Sequence, residues 1–181
     1  ICADTPGFLG NRVGCYAIQT ALHIANAMGF SPQEADAIFG RPMGIPKTGV
    51  FGLYDLIGID LMSDVASSLV SILPPEDDFH NFGAKLPLME KMIQNGQKGR
   101  KTGQGFYRLH NSSKQVVNLK TGEYENIKKL NILIANKAEK DGIMHLFNDE
   151  GIYGEYAWTV MSRILVYAAN LIPEVGDSPE A

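Results

Sequence analysis

The strongest constraint on this chain is its opening run between Pro6 and Gly29. Asp4-Thr5-Pro6-Gly7 is a turn and helix-start signal, with Asp or Thr available to cap, and Gly29 is a helix-end signal. Between them the spacing predicts one long helix over about Phe8–Met28. Its polar residues Arg12, Gln19, His23 and Asn26 are spaced 7, 4 and 3 apart, so they share a face. Nearly everything else on it is apolar. A helix of that kind must be buried over most of its circumference, which calls for partners on several sides. Arg12, at the head of the polar stripe, is expected to pair at the surface.

The punctuation that follows is helical too. Ser31-Pro32-Gln33-Glu34 is a capping box with Pro at the first helical position, opening a helix to about Phe39. A Gly/Pro-rich connection over 40–52 precedes helices at about Val50–Ile57 and Leu61–Leu73, the second stopped by Pro74-Pro75. Pro87–Asn95 reads as a short amphipathic helix. Phe106–Leu109 and Gln115–Leu119 alternate as two short strands, with Thr121-Gly122 as a turn. Helix returns over about Ile127–Asn148, interrupted at Gly142, and again over about Tyr156–Leu171 before Pro173. The fold class is therefore mainly α, with one small β-hairpin.

Composition agrees with a packed soluble domain. Of 181 residues, 45% are apolar and 20% charged, enough for a core and too few charges for disorder. No run approaches the ~18 apolar residues of a membrane span. Two cysteines, Cys2 and Cys15, are too few for a disulfide scaffold and fit a reducing, cytoplasmic compartment. Charge is uneven beneath a net −4. Residues 1–97 carry −5, residues 98–140 carry +7, and residues 141–181 carry −6. A basic middle attracts phosphates or is a solvated surface, and charge alone leaves both open. Nucleic acid is a poor partner, because no binding module and no basic stripe interleaved with aromatics is present.

Self-contained catalytic motifs are missing. There is no G-x-G-x-x-G opening a helix, no P-loop, no H-E-x-x-H and no C-x-x-C, and the four histidines have no metal spacing. Asn11 stands out instead. It falls on the stripe 11, 15, 18, 22, 25, otherwise Cys15, Ile18, Leu22 and Ala25, where an amide must find partners or cost a few kcal/mol. It either bonds locally at the helix start or is aimed at a ligand. Lys101 sits in the Gly-punctuated loop Gly99-Arg100-Lys101-Thr102-Gly103, either as a solvated cation or as a donor to a cofactor. Asp55 and Asp60 read as helix-terminal caps, and Met43, Phe51 and Tyr54 as core.

Four ordered segments carry a resemblance: Asp4-Thr5-Pro6-Gly7-Phe8-Leu9-Gly10-Asn11-Arg12, Pro42-Met43-Gly44, Asp55-Leu56-Ile57-Gly58-Ile59-Asp60 and Gly99-Arg100-Lys101-Thr102-Gly103-Gln104-Gly105-Phe106-Tyr107. Over about residues 3–108 the chain resembles the C-terminal helical domain of the L-3-hydroxyacyl-CoA dehydrogenases, a helical domain like that of 6-phosphogluconate dehydrogenase. The resemblance implies a parent enzyme that oxidises (3S)-3-hydroxyacyl-CoA with NAD in fatty-acid β-oxidation. It also implies a Rossmann domain that binds most of the cofactor and carries the catalytic His–Glu pair, an acyl-CoA substrate, and a homo-oligomer. Asn11 would then lie beside substrate and catalytic His, and Lys101 would contact the cofactor. The 181-residue piece alone would be inactive. The run Ile45–Gly52 departs from the family's P-M-G-P-F-x-L-x-D pattern and is longer, so channel details are not carried over. Other readings are a related hydroxy-acid dehydrogenase domain and a non-catalytic helical interaction module.

A shift of 144 residues lays Leu22-His23-Ile24-Ala25-Asn26 on Val166-Tyr167-Ala168-Ala169-Asn170, and Gly10 on Gly154. Ser31-Pro32 then falls on Ser178-Pro179 with three residues inserted. The expected division is a helical domain over 1–109, a basic linker with hairpin and helix over 110–150, and the start of a second helical copy over 151–181. Glu155 would replace Asn11 there, leaving that copy inactive. The chain lacks an initial Met and reads as a piece of a longer one.

Overall fold

The computed structural model describes residues 3–175. Helix α1 spans Leu9–Ala27, α2 Pro32–Ile38, α3 Gly49–Ile57, α4 Ile59–Ile72 and α5 Pro87–Gln94. A three-stranded antiparallel sheet follows, β1 Tyr107–His110, β2 Ser113–Val117 and β3 Tyr124–Asn126 in that order. Helices α6 Leu133–Asp141, α7 Met144–Phe147 and α8 Ile152–Val175 complete it. The architecture is mainly α with a small sheet. None of the described helices is long and apolar enough to cross a membrane.

The helix starts follow their chemistry where a capping box was legible. Ser31 Oγ accepts from Glu34 N while Glu34 Oε2 accepts from Ser31 N, satisfying both ends of the first turn of α2. Helix α1 starts differently from expectation. Neither Asp4 nor Thr5 caps it; Phe8 holds that position, with no side-chain cap, after a turn closed by Phe8 N to Thr5 O. Gly7 makes that turn with φ 88°, and a Cβ there would lie 2.7 Å from Leu69 Cδ2 of α4. The turn is thus pressed against α4.

The central packing is α1 against α8, antiparallel. Arg12 meets Glu174 near one end, Tyr16 stacks on Tyr167 at 3.9 Å in the middle, and Tyr156 Oη donates to Ala21 O near the other. This corrects the reading of α1. The first half of its polar stripe turns inward: Arg12 is fully buried against α8, and Gln19 Oε1 accepts from the buried Tyr54 hydroxyl of α3, while His23 is half-buried and Asn26 exposed. Arg12 is held by Asp77 at 2.6 Å and Glu174 at 2.5 Å, a buried anchor where a surface pair was expected. Met43, Phe51 and Tyr54 are core, as read.

Three further boundaries move. Residues 127–132 are not helical, and helix resumes only at Leu133. The sheet gains β3, with Gly122 between β2 and β3, while β1 and β2 join through Asn111-Ser112, both at positive φ as a tight hairpin turn requires. Helix α8 begins at Ile152 and runs past Pro173 to Val175. A proline in a last turn forfeits a single backbone bond there, so it need not end the helix. The Ser178-Pro179 match lies outside the described residues.

Candidate functional site

Helix α4 links the two residues singled out from sequence. At its C-terminal end Leu69 packs under Gly7, two residues before the start of α1. At its N-terminal end Lys101 Nζ sits against Gly58, 2.8 Å from where a Cβ would be. Gly58 and Leu69 are eleven positions apart, so the two places lie on the order of 16 Å apart along the helix.

Asn11 is exposed on the first turn of α1 and its amide bonds to nothing among the described residues. The stripe it shares is buried at Cys15, Leu22 and Ala25, but emerges at Asn11. Its amide therefore pays no burial cost, and the expected demand for internal partners does not arise. Its position is still fixed. Arg12, the next residue, is clamped by two carboxylates, so the backbone carrying Asn11 is held while its side chain is free. Phe8 lies exposed beside it at 68%.

Lys101 stands in the loop between Gly99 and Gly103. Its side chain is 48% exposed and pairs with Asp60 Oδ1 at 2.5 Å, and Lys98 reaches Asp60 Oδ2 at 3.5 Å. The two lysines hold the Asp60 carboxyl below the usual carboxylate range, Lys101 most of all. Asp60 lies in the first turn of α4 but does not cap it: Gly58 holds the cap position with no side-chain hydrogen bond, and Asp60 acts there as a first-turn acid. Leu56, Ile57 and Leu61 are exposed around this point. No hydrogen bond joins Asn11 to Lys101 among the described residues.

Asp55 has a different task from the cap expected. It is buried in the last turns of α3, where Oδ1 accepts from Phe106 N at 2.7 Å and Oδ2 from Tyr107 N at 2.8 Å. A Cβ at Gly105 would overlap Asp55 Oδ1, so the Gly-Phe-Tyr step is glycine because a carboxylate occupies the space. Burial pushes Asp55 up to about 6, although the two N–H groups and Arg100 pull the other way. Asp36 completes the lock. It accepts from Phe51 N, Gly52 N and the Tyr107 hydroxyl, all within 3.0 Å, capping α3 from α2. Burial pushes it up to about 7 against those donors. Sequence reasoning missed Asp36; an Asp inside a short helix carries no local signal for a cap it offers to another helix.

These segments coincide with a known family. Residues 7–109 match the model of the 3-hydroxyacyl-CoA dehydrogenase C-terminal domain. The chain belongs to that family. It is 38% identical over 178 residues to a Rickettsia prowazekii protein named as a fatty acid oxidation complex trifunctional enzyme, covering 96% of this chain and 24% of that protein. It is 29% identical over 184 residues to a Bacillus subtilis protein named as a 3-hydroxyacyl-CoA dehydrogenase, covering 98% of this chain and 23% of that one. Against human mitochondrial hydroxyacyl-coenzyme A dehydrogenase, identity is 28% over 113 residues, or 59% of this chain and 32% of the relative. The chain spans about a quarter of the length of the longest-matching relatives.

Proposed function

We propose that this chain is the helical substrate-side portion of an NAD-dependent (3S)-3-hydroxyacyl-CoA dehydrogenase acting in fatty-acid β-oxidation. The observation that carries it is Asn11: an unpartnered amide, exposed, on a helix turn fixed by the buried Arg12 beside it. An amide held that way offers a donor and an acceptor to a substrate oxygen or to a catalytic imidazole without first breaking an internal bond. The partner that closes over it is a dinucleotide-binding domain of the same protein, supplying the general base. The exposed Phe8, Leu56, Ile57 and Leu61 give that domain an apolar surface to cover.

Lys101 is the residue that would hold NAD from this side. Its ammonium is accessible and its present partner, Asp60, is a half-buried carboxylate at the surface, so exchanging that pair for a cofactor contact costs little. NAD, when bound, accepts the hydride. This chain's residues orient the acyl-CoA, exclude water and present the Asn11 amide. The helical domain also serves self-association, giving a dimer.

Residues 151–175 fit the start of a second helical copy. The support is the sequence match under the 144-residue shift, Gly10 on Gly154 and 22–26 on 166–170. Glu155, at the place of Asn11, is exposed, and a carboxylate cannot donate as the amide does.

The test is an assay of the intact protein with a (3S)-3-hydroxyacyl-CoA and NAD, beside the 181-residue chain alone. NADH formation by the intact protein, and none by the chain alone, supports the reading. Turnover by the isolated chain contradicts the division of labour, and an inactive intact protein contradicts the reaction.

A further inference from the structure

The basic middle of the sequence gathers around one open cleft of about 1040 Å3. Its walls come from α2, the turn before α3, the loop after Gly99, strands β1 and β2, the segment after β3, and α6. Lys47, Arg100, Arg108, Lys114, Lys128 and Lys129 all line it, and among the described residues none of the six forms an ion pair. Arg41 lines it too and is paired with Glu139 at 3.3 Å. The other two carboxylates in the wall, Asp36 and Asp55, spend their oxygens on N–H and O–H donors of the lock described above. Six cations thus line the cleft from separate stretches of chain, against Asp36 and Asp55, whose charge reaches Arg100 from Asp55 but whose oxygens are already taken by backbone and hydroxyl donors. Such a field concentrates anions.

Arg108 is already arranged for one. Its guanidinium lies 3.7 Å over the Tyr124 ring and its Nε donates to Gln115 Oε1 at 2.8 Å, which fixes the plane and leaves both terminal nitrogens without a partner among the described residues. A fixed guanidinium suits bidentate phosphate recognition. Pro42, Leu109 and Leu130 add an apolar part, and the volume lies just above the ~300–1,000 Å3 range of small-molecule sites. A lone inorganic ion would fill little of it.

We propose that this cleft binds the diphosphate group of an organic phosphate of nucleotide size. Neither Asn11 nor Lys101 lines it, so it lies apart from the two residues proposed to serve the reacting end of the substrate and the cofactor. Along the loop, Arg100 faces the cleft while Lys101 goes to Asp60. The diphosphate of a nucleotide and that of a coenzyme A handle share this chemistry. The site does not depend on the dehydrogenase reading.

Calorimetric titration of the intact protein with inorganic pyrophosphate, ADP and coenzyme A tests it. The double variant Lys114→Glu, Lys128→Glu should weaken binding of the organic ligands by about tenfold or more, while Lys137→Glu, a basic residue outside the cleft, should not. Equal binding by wild type and double variant overturns the proposal, as does an equal loss in Lys137→Glu. Wild-type affinity, which needs no variant to fold, should fall steeply between about 50 and about 200 mM salt, and a flat response overturns the proposal too. Coenzyme A binding tighter than ADP supports the site and assigns it to the carrier handle; ADP binding as tight as coenzyme A supports it and assigns it to a nucleotide. Pyrophosphate binding as tightly as both overturns the organic part. Because only cleft binding responds to the double variant, this outcome is read apart from dehydrogenase activity.

Discussion

Asp55 holds the backbone of Tyr107, accepting its N–H at 2.8 Å, while the hydroxyl of the same tyrosine is held by Asp36. Two segments far apart in sequence, Asp55–Asp60 and Gly99–Tyr107, are therefore halves of one lock. It sets the loop that carries Lys101 against α4. Removing the carboxylate leaves two N–H groups buried without acceptors. Asp55→Ala should cost about 2–6 kcal/mol, at about 1–3 per orphaned group. Thermal unfolding checks it, and Gly105→Ala should be destabilising as well, since its Cβ would enter the space of Asp55.

Stability should depend on pH through Asp36. Its folded pKa is raised from 3.8 to about 7, so the folded state holds a proton that the unfolded state has released between those values. Stability is then fully present below about 4 and is lost as pH rises through about 7. Asp55, pushed up to about 6, acts in the same direction. Asp36→Asn should flatten this slope, as read from melting temperatures across that window. An unchanged slope would remove Asp36 as its source.

Arg12 tests the central packing. Substituting Ala removes the charge partner of Asp77, whose side chain is only 6% exposed and keeps only Phe79 N and the Tyr167 hydroxyl as donors, and should cost about 3–5 kcal/mol. Glu174→Gln, at 44% exposure, should cost about 1 kcal/mol or less. Chemical denaturation of both variants checks the ranking. Equal losses would mean that Glu174 matters as much as Asp77.

Lys101→Ala should raise the KM for NAD and leave kcat nearly unchanged, because a cofactor contact away from the reacting atoms contributes to uniform binding. The half-exposed pair with Asp60 should add under about 1 kcal/mol to stability. Steady-state kinetics and a melting curve on the same variant separate the two. A stable variant with unaltered KM would take Lys101 out of the cofactor site.

Much of this was legible locally. The helix run of α1, the capping box of α2 and the small sheet each carry their signal within a few residues, and the structure follows it. What failed was non-local. Whether Arg12 faces water depends on α8, more than a hundred residues away. Whether Asp55 caps a helix or grips a loop depends on Phe106 and Tyr107. The local rule for Asn11 also misled: its stripe is apolar, yet that stripe leaves the core one turn before its end. Asn11 and Lys101 lie in two separate segments of the resemblance, and only the start of α4, Ile59-Asp60, belongs to a third; the rest of the helix lying between them carries no such signal.

The central claim is that Asn11 serves the reaction. The most direct measurement is kcat of the intact enzyme carrying Asn11→Ala, with folding checked by circular dichroism and melting temperature. Because Asn11 is exposed and unpartnered, stability should be unchanged while kcat falls by about tenfold or more. A folded variant that turns over 3-hydroxyacyl-CoA at the wild-type rate would contradict the account.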